Sequence, residues 1–558
     1  MFTVSLFSTI LLRCFPGLNS IMRLIFSILL IATALLISSC DYFGFSTARK
    51  LDHPLVMIGI DGGEWDVIEK LMEKGELPNL AKLIDTGISG HLINPGPATS
   101  PPVWTTFATG HFPREHGILE HVYPYDDSAA KKPVDSSMRL KPALWNLASD
   151  YGLKSTVMGY FVSWPAETIN GTIVSDRAFQ GLESAVSPAE DAAAFEEVFA
   201  PLQWGEGRQE ALDRYFPWGY RPEQALDEQD PNHLAAKQII NRVDRLLVND
   251  EATRRAVEQA TISDVDLFIA YYRSPDIAGH SFWKYWDDTD YEQKPDPDMK
   301  EKLGPALPES YRFVDQAVGE LMERFGEQAN YLVVSDHGFR SAEERIIETP
   351  LHSWELTGNH RLNGIFIASG PDIASGRIEM LTTLDIMPTV TALLGIPLSD
   401  ELPGSIDYRI LRPDFESDHP LQTIPAYQQS GQSLDQEGAS SAGQESTMEE
   451  LRGLGYIGVD VELVEDSESR EYSFWEAASE TVITHSSGEI VYYLIKEERE
   501  SALDVLQQLR ANRPELEVEV YKLTRSRLRG LGRNLPGKPR LLNLLNDFDP
   551  YFNEEASG

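Results

Sequence analysis

The chain has 558 residues, of which 42% are hydrophobic, and a formal net charge of -39 at pH 7. This length allows a large core and more than one compact domain. The excess of acids argues against nucleic acid as a partner, because neutralising phosphates requires Lys and Arg. Both cysteines precede Asp41, so disulfides and thiol chemistry are excluded from the rest of the chain.

An apolar run near the N-terminus predicts an export signal. Met22-Arg23 precede the run Leu24–Ile37, and Ser38-Ser39 then lead to Cys40. This order of charge, apolar run and small residues is typical of a signal peptide, and the run is too short for a transmembrane helix. It resembles a bacterial lipobox, so we expect residues 1–40 to be a signal peptide with a lipobox, and Cys40 to become the lipidated first residue of the mature protein. The protein would then be a membrane-anchored lipoprotein facing the periplasm or cell exterior; the alternative is an uncleaved anchor.

The first predicted strand ends in an acid. Leu55–Ile60 is a short, bounded apolar run, which indicates a buried strand. Asp61 follows it directly, and Gly62-Gly63 allow a tight turn that exposes the carboxylate. Active-site residues of open α/β sheets gather at strand carboxyl ends, so Asp61 is a candidate site residue.

The segment 98–110 predicts a short helix that begins at a serine. We expect Ser100 as the N-cap, Pro101 as the first helical residue and Gly110 as the stop. A hydroxyl at a helix N-terminus faces unpaired N–H groups and the positive end of the dipole, which suits a nucleophile attacking a phosphate. The alternatives are that Ser100 is an ordinary cap, or that Thr99 is the nucleophile.

An inserted segment is expected between two blocks of a catalytic domain that spans residues 51–412. This insert, about 179–263, is predicted to form a cap and includes an amphipathic pattern over 235–247. It is also rich in aromatic residues, namely Trp204, Tyr215, Trp218 and Tyr220. We interpret these side chains as core residues, with substrate contact as the alternative.

Two further acid and histidine pairs follow the insert. Asp276 and His280 are four residues apart, which places them on one face of a helical turn. The apolar run Tyr331–Val334 predicts a second buried strand, and Asp336-His337 lie at its carboxyl end. With Asp61, these residues could supply ligands for a pair of divalent metals.

The C-terminal part is predicted to be a linker followed by a small α+β region. Residues 413–458 are expected to be a flexible linker and a tail that packs back onto the core. Within 459–558, a hairpin around Ser487-Gly488 and a helix over 501–509 are expected. A basic stretch lies in the same region and is either a solvated face or a contact for anionic lipid headgroups. Its members are Lys522, Arg525, Arg527, Arg529, Arg533, Lys538 and Arg540.

Taken together, these motifs resemble those of the alkaline phosphatase superfamily, most closely its type I phosphodiesterase and nucleotide pyrophosphatase branch. The resemblance covers roughly Leu55 to Leu411. The matching motifs occur in the family's order: Asp61-Gly62, Ser100, Thr109-Gly110 through His116-Gly117-Ile118, Asp276 to His280, Asp336-His337-Gly338 and Gly358-Asn359-His360. The resemblance implies a three-layer α/β/α sandwich with an inserted cap.

The resemblance also implies a bimetallic site. Asp276, His280 and His360 would hold one ion, while a second set, with Ser100 beside it, would hold the other. That second set is Asp61, Asp336 and His337. The mixed nitrogen and oxygen ligands favour Zn²⁺, with Mn²⁺ as the alternative. Ser100 would be the nucleophile and would form a phosphoseryl intermediate.

Three positions refine this interpretation. His121 stands where nucleotide pyrophosphatases of the family carry an asparagine that contacts phosphate, so we expect it to bind substrate. Trp104 replaces the arginine of the sulfatase signature, which argues against a sulfatase. His352 is the rival of His360 as a ligand, and the strand predicted just after Asn359-His360 favours His360.

The sequence therefore predicts a hydrolase of phosphodiesters or phosphoric esters that acts on a small phosphate ester. Two alternatives remain open. One is a phosphotransferase or mutase-like member of the superfamily, and the other is a catalytically silent lipoprotein that binds a ligand.

Overall fold

A computed structural model describes residues 52–126, 128, 130–221, 231–343, 356–427, 441–453, 461–463 and 473–534. The strands are β1 (Leu55–Ile60), β2 (Ile88–Ile93), β3 (Val122–Tyr123), β4 (Ala130–Pro133), β5 (Ser155–Met158), β6 (Gly171–Val174), β7 (Val186–Ser187), β8 (Leu267–Tyr272), β9 (Asn330–Val334), β10 (Gly338–Ser341), β11 (Gly358–Arg361), β12 (Asn363–Ser369), β13 (Gly376–Thr382), β14 (Leu398–Ser399), β15 (Thr423–Ile424) and β16 (Glu462–Leu463).

The α-helices are α1 (Trp65–Met72), α2 (Pro78–Thr86), α3 (Ser100–Thr109), α4 (Pro113–His116), α5 (Leu144–Asp150), α6 (Ala192–Trp204), α7 (Glu206–Tyr215), α8 (Pro231–Gln259), α9 (Ser274–Trp286), α10 (Pro297–Leu303), α11 (Ala306–Phe325), α12 (Ile386–Leu393), α13 (Phe415–Asp418), α14 (Ser441–Gly453), α15 (Ser479–Ile495), α16 (Arg499–Asn512) and α17 (Glu517–Asn534). Short 3₁₀ turns lie at Ser136–Met138, Ala178–Gln180, Ala189–Asp191, Thr383–Asp385, Phe474–Glu476 and Pro514–Leu516.

A nine-stranded sheet forms the centre of the protein, in the order β13-β2-β12-β9-β1-β8-β5-β6-β7. Most of its strands are parallel; β12 runs antiparallel to both of its neighbours, and the edge strand β7 runs antiparallel to β6. β1 lies between β9 and β8, with which it pairs in parallel. The chain segments that follow these three strands therefore meet at one edge of the sheet.

Helices cover both faces of this sheet. Side chains alternate along β1, so Val56, Ile58 and Ile60 share one face, where they join a cluster that includes residues of α1, α2, α8 and α11. On the other face α3 approaches Gly59 closely: a Cβ at Gly59 would lie 2.7 Å from the Trp104 ring. The expected α/β/α sandwich, with its predicted strands 55–60 and 331–334, is confirmed.

The insert between the two blocks packs into the same core. Helices α6, α7 and α8 contribute Phe199, Leu212 and Ile240 to the cluster that contains the β1 and β8 side chains. Tyr215 and Tyr220 are buried in that cluster, and Trp218 packs against it, as the core interpretation of these aromatics predicts.

The C-terminal predictions are corrected in two places. The hairpin expected around Ser487-Gly488 is wrong, because both residues lie inside the helix α15, and the described residues 473–534 form helices and no strand. Gly488 does not mark a turn. Its missing side chain lets α15 approach the backbone at Gly96 closely. The helix predicted over 501–509 is confirmed within α16.

The stretch predicted as a linker also contains structure. α13 and β15 follow the catalytic core directly, and β15 pairs with β14. Met448 and Leu451 of α14 are buried in one hydrophobic cluster with Val122 of β3. Among the described helices, none combines the length and apolarity needed to cross a bilayer. Cys40 and His352 lie outside the described residues.

Candidate active site

The central three strands bring the predicted ligands together. Asp61 follows β1 and Asp336-His337 follow β9, while the helix α9, which begins just after β8, carries Asp276 and His280. The N-terminus of α9 is held by Asp250 of α8, whose carboxylate accepts the N–H groups of Arg273 and Ser274 at 3.0 and 2.7 Å. His360 reaches the same place from β11.

The first cluster consists of Asp276, His280 and His360. The His280 and His360 Nε2 atoms lie 3.3 and 3.2 Å from Asp276 Oδ1 and 2.7 Å from each other. Their Nδ1 atoms lie 3.1 and 2.6 Å from the carbonyl oxygens of Gly358 and Ala98. A carbonyl can only accept a hydrogen bond, so Nδ1 carries the proton in each neutral ring. Two Nε2 lone pairs and a carboxylate oxygen then converge on one point, as a metal ion requires.

The second cluster consists of Asp61, Asp336 and His337. The His337 Nε2 atom lies 3.3 Å from Asp61 Oδ1 and 3.3 Å from Asp336 Oδ2, while its Nδ1 lies 3.2 Å from the Gly338 carbonyl oxygen. Asp336 Oδ2 is buried and has no hydrogen-bond partner among the described residues. A buried carboxylate oxygen without a hydrogen bond is expected where a cation binds.

The two clusters adjoin one another. His337 Nε2 lies 3.7 Å from Asp276 Oδ1, and the His337 and His360 rings stack with their centroids 3.5 Å apart. This proximity is compatible with a two-metal site, in which the ions lie about 3.5–4 Å apart. Phe339 packs against the rings of both clusters, including His280 at 4.9 Å.

The electrostatics of the buried clusters also call for cations. Burial raises the pKa of Asp336 well above its usual value, and the Asp61 carboxylate raises it further. Burial opposes the charged form of His337, yet the Asp336 and Asp61 carboxylates raise its pKa to about 10. Burial lowers the pKa of His360 to about 3, so this ring is neutral and ready to act as a ligand. Two divalent ions would more than balance the three carboxylates of Asp61, Asp276 and Asp336.

Ser100 lies beside the second cluster. Its hydroxyl donates a hydrogen bond to Asp61 Oδ1 at 3.3 Å. The helix differs from the prediction by one residue: Thr99 is the N-cap and Ser100 is the first helical residue. The Thr99 hydroxyl is buried and has no hydrogen-bond partner among the described residues, whereas the Ser100 hydroxyl contacts Asp61.

The first turn of α3 offers fewer backbone N–H donors than the N-terminus of an ordinary helix. Pro101 and Pro102 are the second and third helical residues, and proline has no N–H. Among these first three residues, only Ser100 keeps an N–H group. An anion at this point would therefore meet a single free amide from these three residues.

Several residues that support the site were not predicted from the sequence. The Trp104 indole donates to Asp61 Oδ2 at 3.1 Å, and the Tyr271 hydroxyl donates to the same oxygen. Trp104 lies four residues after Ser100, on the same helical face, and this spacing could have revealed it. Glu64 is almost fully buried and accepts the Phe339 N–H at 2.8 Å, which ties the loop after β1 to β10.

Gly62 is required by its surroundings. It adopts φ +71°, and a Cβ there would lie 2.6 Å from the Phe339 ring and 2.8 Å from the Asp276 backbone. This glycine therefore has two roles. It forms the predicted tight turn, and its lack of a side chain allows β1, α9 and β10 to pack together at the site.

The other two histidines of interest lie outside the ligand clusters. His116 Nε2 lies 3.2 Å from the Thr106 hydroxyl and 3.1 Å from the Pro102 carbonyl, while His116 Nδ1 accepts the Ile118 N–H at 3.2 Å. It therefore fixes α3 against the following turn. His121 is buried just before β3, and its carbonyl accepts the Val134 N–H; its expected substrate contact stays a prediction.

Comparison with known proteins agrees with this geometry. The family model described as type I phosphodiesterase / nucleotide pyrophosphatase matches residues 55–377, more than half of the chain. The match includes both acid and histidine clusters and Ser100. A search of the curated proteins finds no match. The chain thus belongs to the type I phosphodiesterase and nucleotide pyrophosphatase family, hydrolases of phosphoric ester bonds that depend on divalent metals and act on small phosphate esters.

Proposed function

We propose that this protein hydrolyses a phosphodiester or phosphoric ester through a phosphoseryl intermediate on Ser100 at a two-metal site. The single observation that carries the proposal is the contact between Ser100 and Asp61, because Asp61 also belongs to the second ligand cluster. This contact puts a serine hydroxyl beside two adjoining groups of residues that could hold metal ions, which supports the proposal. An ordinary helix cap has no need of that environment.

The proposed mechanism is a two-step displacement. In the first step the Ser100 hydroxyl gives its proton to water, its Oγ forms a bond to phosphorus, the bond to the leaving-group oxygen breaks, and that oxygen leaves with a proton returned by water. In the second step a water oxygen bonds to phosphorus, the Ser100 Oγ–P bond breaks, and the proton that this water loses returns to Ser100 Oγ. The hydroxyl proton of Ser100 points at Asp61 Oδ1 in the resting protein.

Asp61 is held for this role by its neighbours. Trp104 and Tyr271 both donate to Oδ2, which leaves Oδ1 directed at Ser100 and His337. Divalent cations bound by the six ligand residues would supply Lewis acidity and offset the negative charge of the phosphoryl group. We propose Zn²⁺ for this ligand set, with Mn²⁺ as the alternative, because imidazole and carboxylate ligands suit both ions.

Paired substrates provide the direct test. The purified protein is assayed against p-nitrophenyl monoesters and diesters of phosphate, with and without a chelator, and its metal content is measured. We expect ester hydrolysis that the chelator abolishes and that Zn²⁺ or Mn²⁺ restores. Chelator-resistant hydrolysis, or a folded protein that holds no stoichiometric divalent metal, would contradict the proposal. The ratio of the two ester activities then assigns the substrate class.

We also propose that the protein is exported and anchored through Cys40. The support is the charge, apolar length and small-residue order of residues 22–40. In this arrangement the active site acts on esters outside the cytoplasm.

A further inference from the structure

The C-terminal helices lie outside the part of the chain that the family model matches, yet they pack against the active-site scaffold. Helices α15, α16 and α17 share a hydrophobic cluster with catalytic-domain residues that flank the nucleophile and the last metal histidine. Those residues are Ile93, Ala98, Leu119, Tyr125 and Leu362. Ala98 lies two positions before Ser100, and Leu362 lies two positions after His360.

Polar contacts join the same surfaces. Arg114 of α4 lies with its Nε 2.9 Å from Oε1 of the buried Glu489 side chain and donates to Gln508 at 2.8 Å. His485 Nε2 lies 3.0 Å from the Leu119 carbonyl oxygen. These contacts come from α15 and α16 and reach the segment just after the helix that carries Ser100. The interface therefore has specific hydrogen bonds in addition to apolar packing.

One buried arginine reaches the loop before the nucleophile. The Arg527 side chain of α17 is 1% exposed and donates to the Thr484 carbonyl at 2.7 Å. Its guanidinium lies directly against Gly96, where any Cβ would overlap it. Gly488 of α15 packs on the other part of this loop, since a Cβ there would lie 2.5 Å from the Gly96 carbonyl oxygen. Gly96 has φ +118°, which also favours glycine at this position.

This loop is connected to both parts of the active site. The Asn94 side chain accepts the Gly96 N–H at 2.9 Å and donates to the Pro97 carbonyl at 2.7 Å, which holds the loop together. The Ala98 carbonyl receives the hydrogen bond from His360 Nδ1 at 2.6 Å. A displacement of Gly96 would therefore be transmitted both to Ser100 and to a metal ligand.

We propose that Arg527 is a positioning residue for the nucleophile loop, the segment 94–99 between β2 and α3. The C-terminal helices would then be part of the catalytic unit. The inference rests on the proposed function of Ser100. The guanidinium contacts Gly96 of the loop and donates to the Thr484 carbonyl. The loop in turn determines where α3 begins and, through the Ala98 carbonyl, how His360 is oriented. Arg527 thus belongs to an internal contact, although the basic stretch was expected to be either a solvated face or a lipid contact.

The test compares Arg527→Ala and Arg527→Lys with Arg529→Ala in the full chain. Arg529 is exposed on the same helix, so it is a matched control for charge and helix propensity. For Arg527→Ala we expect kcat to fall by about 10- to 100-fold, because small displacements of a reacting group cost this much. KM and bound metal should change little. Guanidinium ion added at low concentration should restore part of the lost kcat, and Arg529→Ala should behave as wild type.

The outcomes separate this inference from the proposed function. Wild-type kcat in Arg527→Ala, or a loss of activity that only follows the loss of folded protein, overturns the positioning role. If Arg527→Ala does not fold, Arg527→Lys decides: lower kcat per folded molecule supports the role, and unchanged kcat overturns it. Ser100→Ala is measured in parallel. Activity in that variant contradicts the proposed function. An inactive Ser100→Ala together with a fully active Arg527→Ala contradicts this inference alone.

Discussion

Replacing Ser100 by alanine should separate the nucleophile from the scaffold around it. The hydroxyl makes a 3.3 Å hydrogen bond to Asp61, which is long for an O–H donor. Trp104 and Tyr271 still donate to that carboxylate in the variant. The loss of such a bond lowers the free energy of unfolding by about 1 kcal/mol or less. Ser100→Ala should therefore melt close to the wild-type temperature and keep its metal.

The expected loss of activity is much larger. A nucleophile that acts together with its partners as a unit costs about three or more orders of magnitude in kcat when removed. At about 1.4 kcal/mol per tenfold change, that is at least about 4 kcal/mol of transition-state stabilisation. A nucleophile is therefore indicated if Ser100→Ala loses about 1 kcal/mol or less in the free energy of unfolding but about 4 kcal/mol or more in transition-state stabilisation.

The assay measures initial hydrolysis of a p-nitrophenyl phosphate ester, the melting temperature and the metal content of each variant. Acid quenching of the wild type during turnover, followed by intact-mass analysis, should show a phosphoryl adduct that is absent from Ser100→Ala. Thr99→Ala is the matched control and should retain substantial activity. An inactive Thr99→Ala with an active Ser100→Ala would transfer the role to Thr99. Activity in both variants would mean that water attacks the phosphorus directly.

Three further predictions concern metal, pH and export. His360→Ala and Asp336→Ala should each lose bound metal as well as activity, because each removes a ligand; metal analysis that shows full occupancy would contradict the ligand assignment. Burial raises the pKa of Glu489 to about 8, although the Arg114 guanidinium 2.9 Å away lowers it, so the folded protein holds this proton more tightly than the unfolded chain. Wild-type stability should then fall as pH rises from about 4.5 to about 8, and urea unfolding of Glu489→Gln should show a smaller fall; equal slopes would refute this. Cys40→Ala should block lipid attachment and processing in membrane fractionation, whereas a variant that is as membrane-bound and as unprocessed as the wild type would favour a retained helix.

Much of the sheet and of the ligand set follows from local sequence patterns. The apolar runs before Asp61 and Asp336 are long enough only for short buried strands, and acids at their carboxyl ends are then exposed at one edge. The Asp276 and His280 spacing defines one face of a helix whatever the helix packs against. The order of these motifs then indicated the family.

Local patterns failed where the deciding contact lies far along the chain. Ser487-Gly488 was interpreted as a turn because glycine commonly marks one, but the structure uses it for close packing of a helix against the loop at Gly96. The start of α3 was misplaced by one residue because serine and threonine are both good caps, and their order cannot choose between them.

The sequence by itself determined the chemistry available to this protein: its acids, histidines and serine, the strands that end in them, and an acidic body without cysteine beyond residue 40. Only the tertiary structure decided how that chemistry is arranged. Strand order places β1 between β9 and β8, carbonyl oxygens orient the imidazoles, and Trp104 and Tyr271 direct Asp61 toward Ser100. The physical reason is that orientation and charge depend on contacts between residues tens to hundreds of positions apart, which no local pattern encodes.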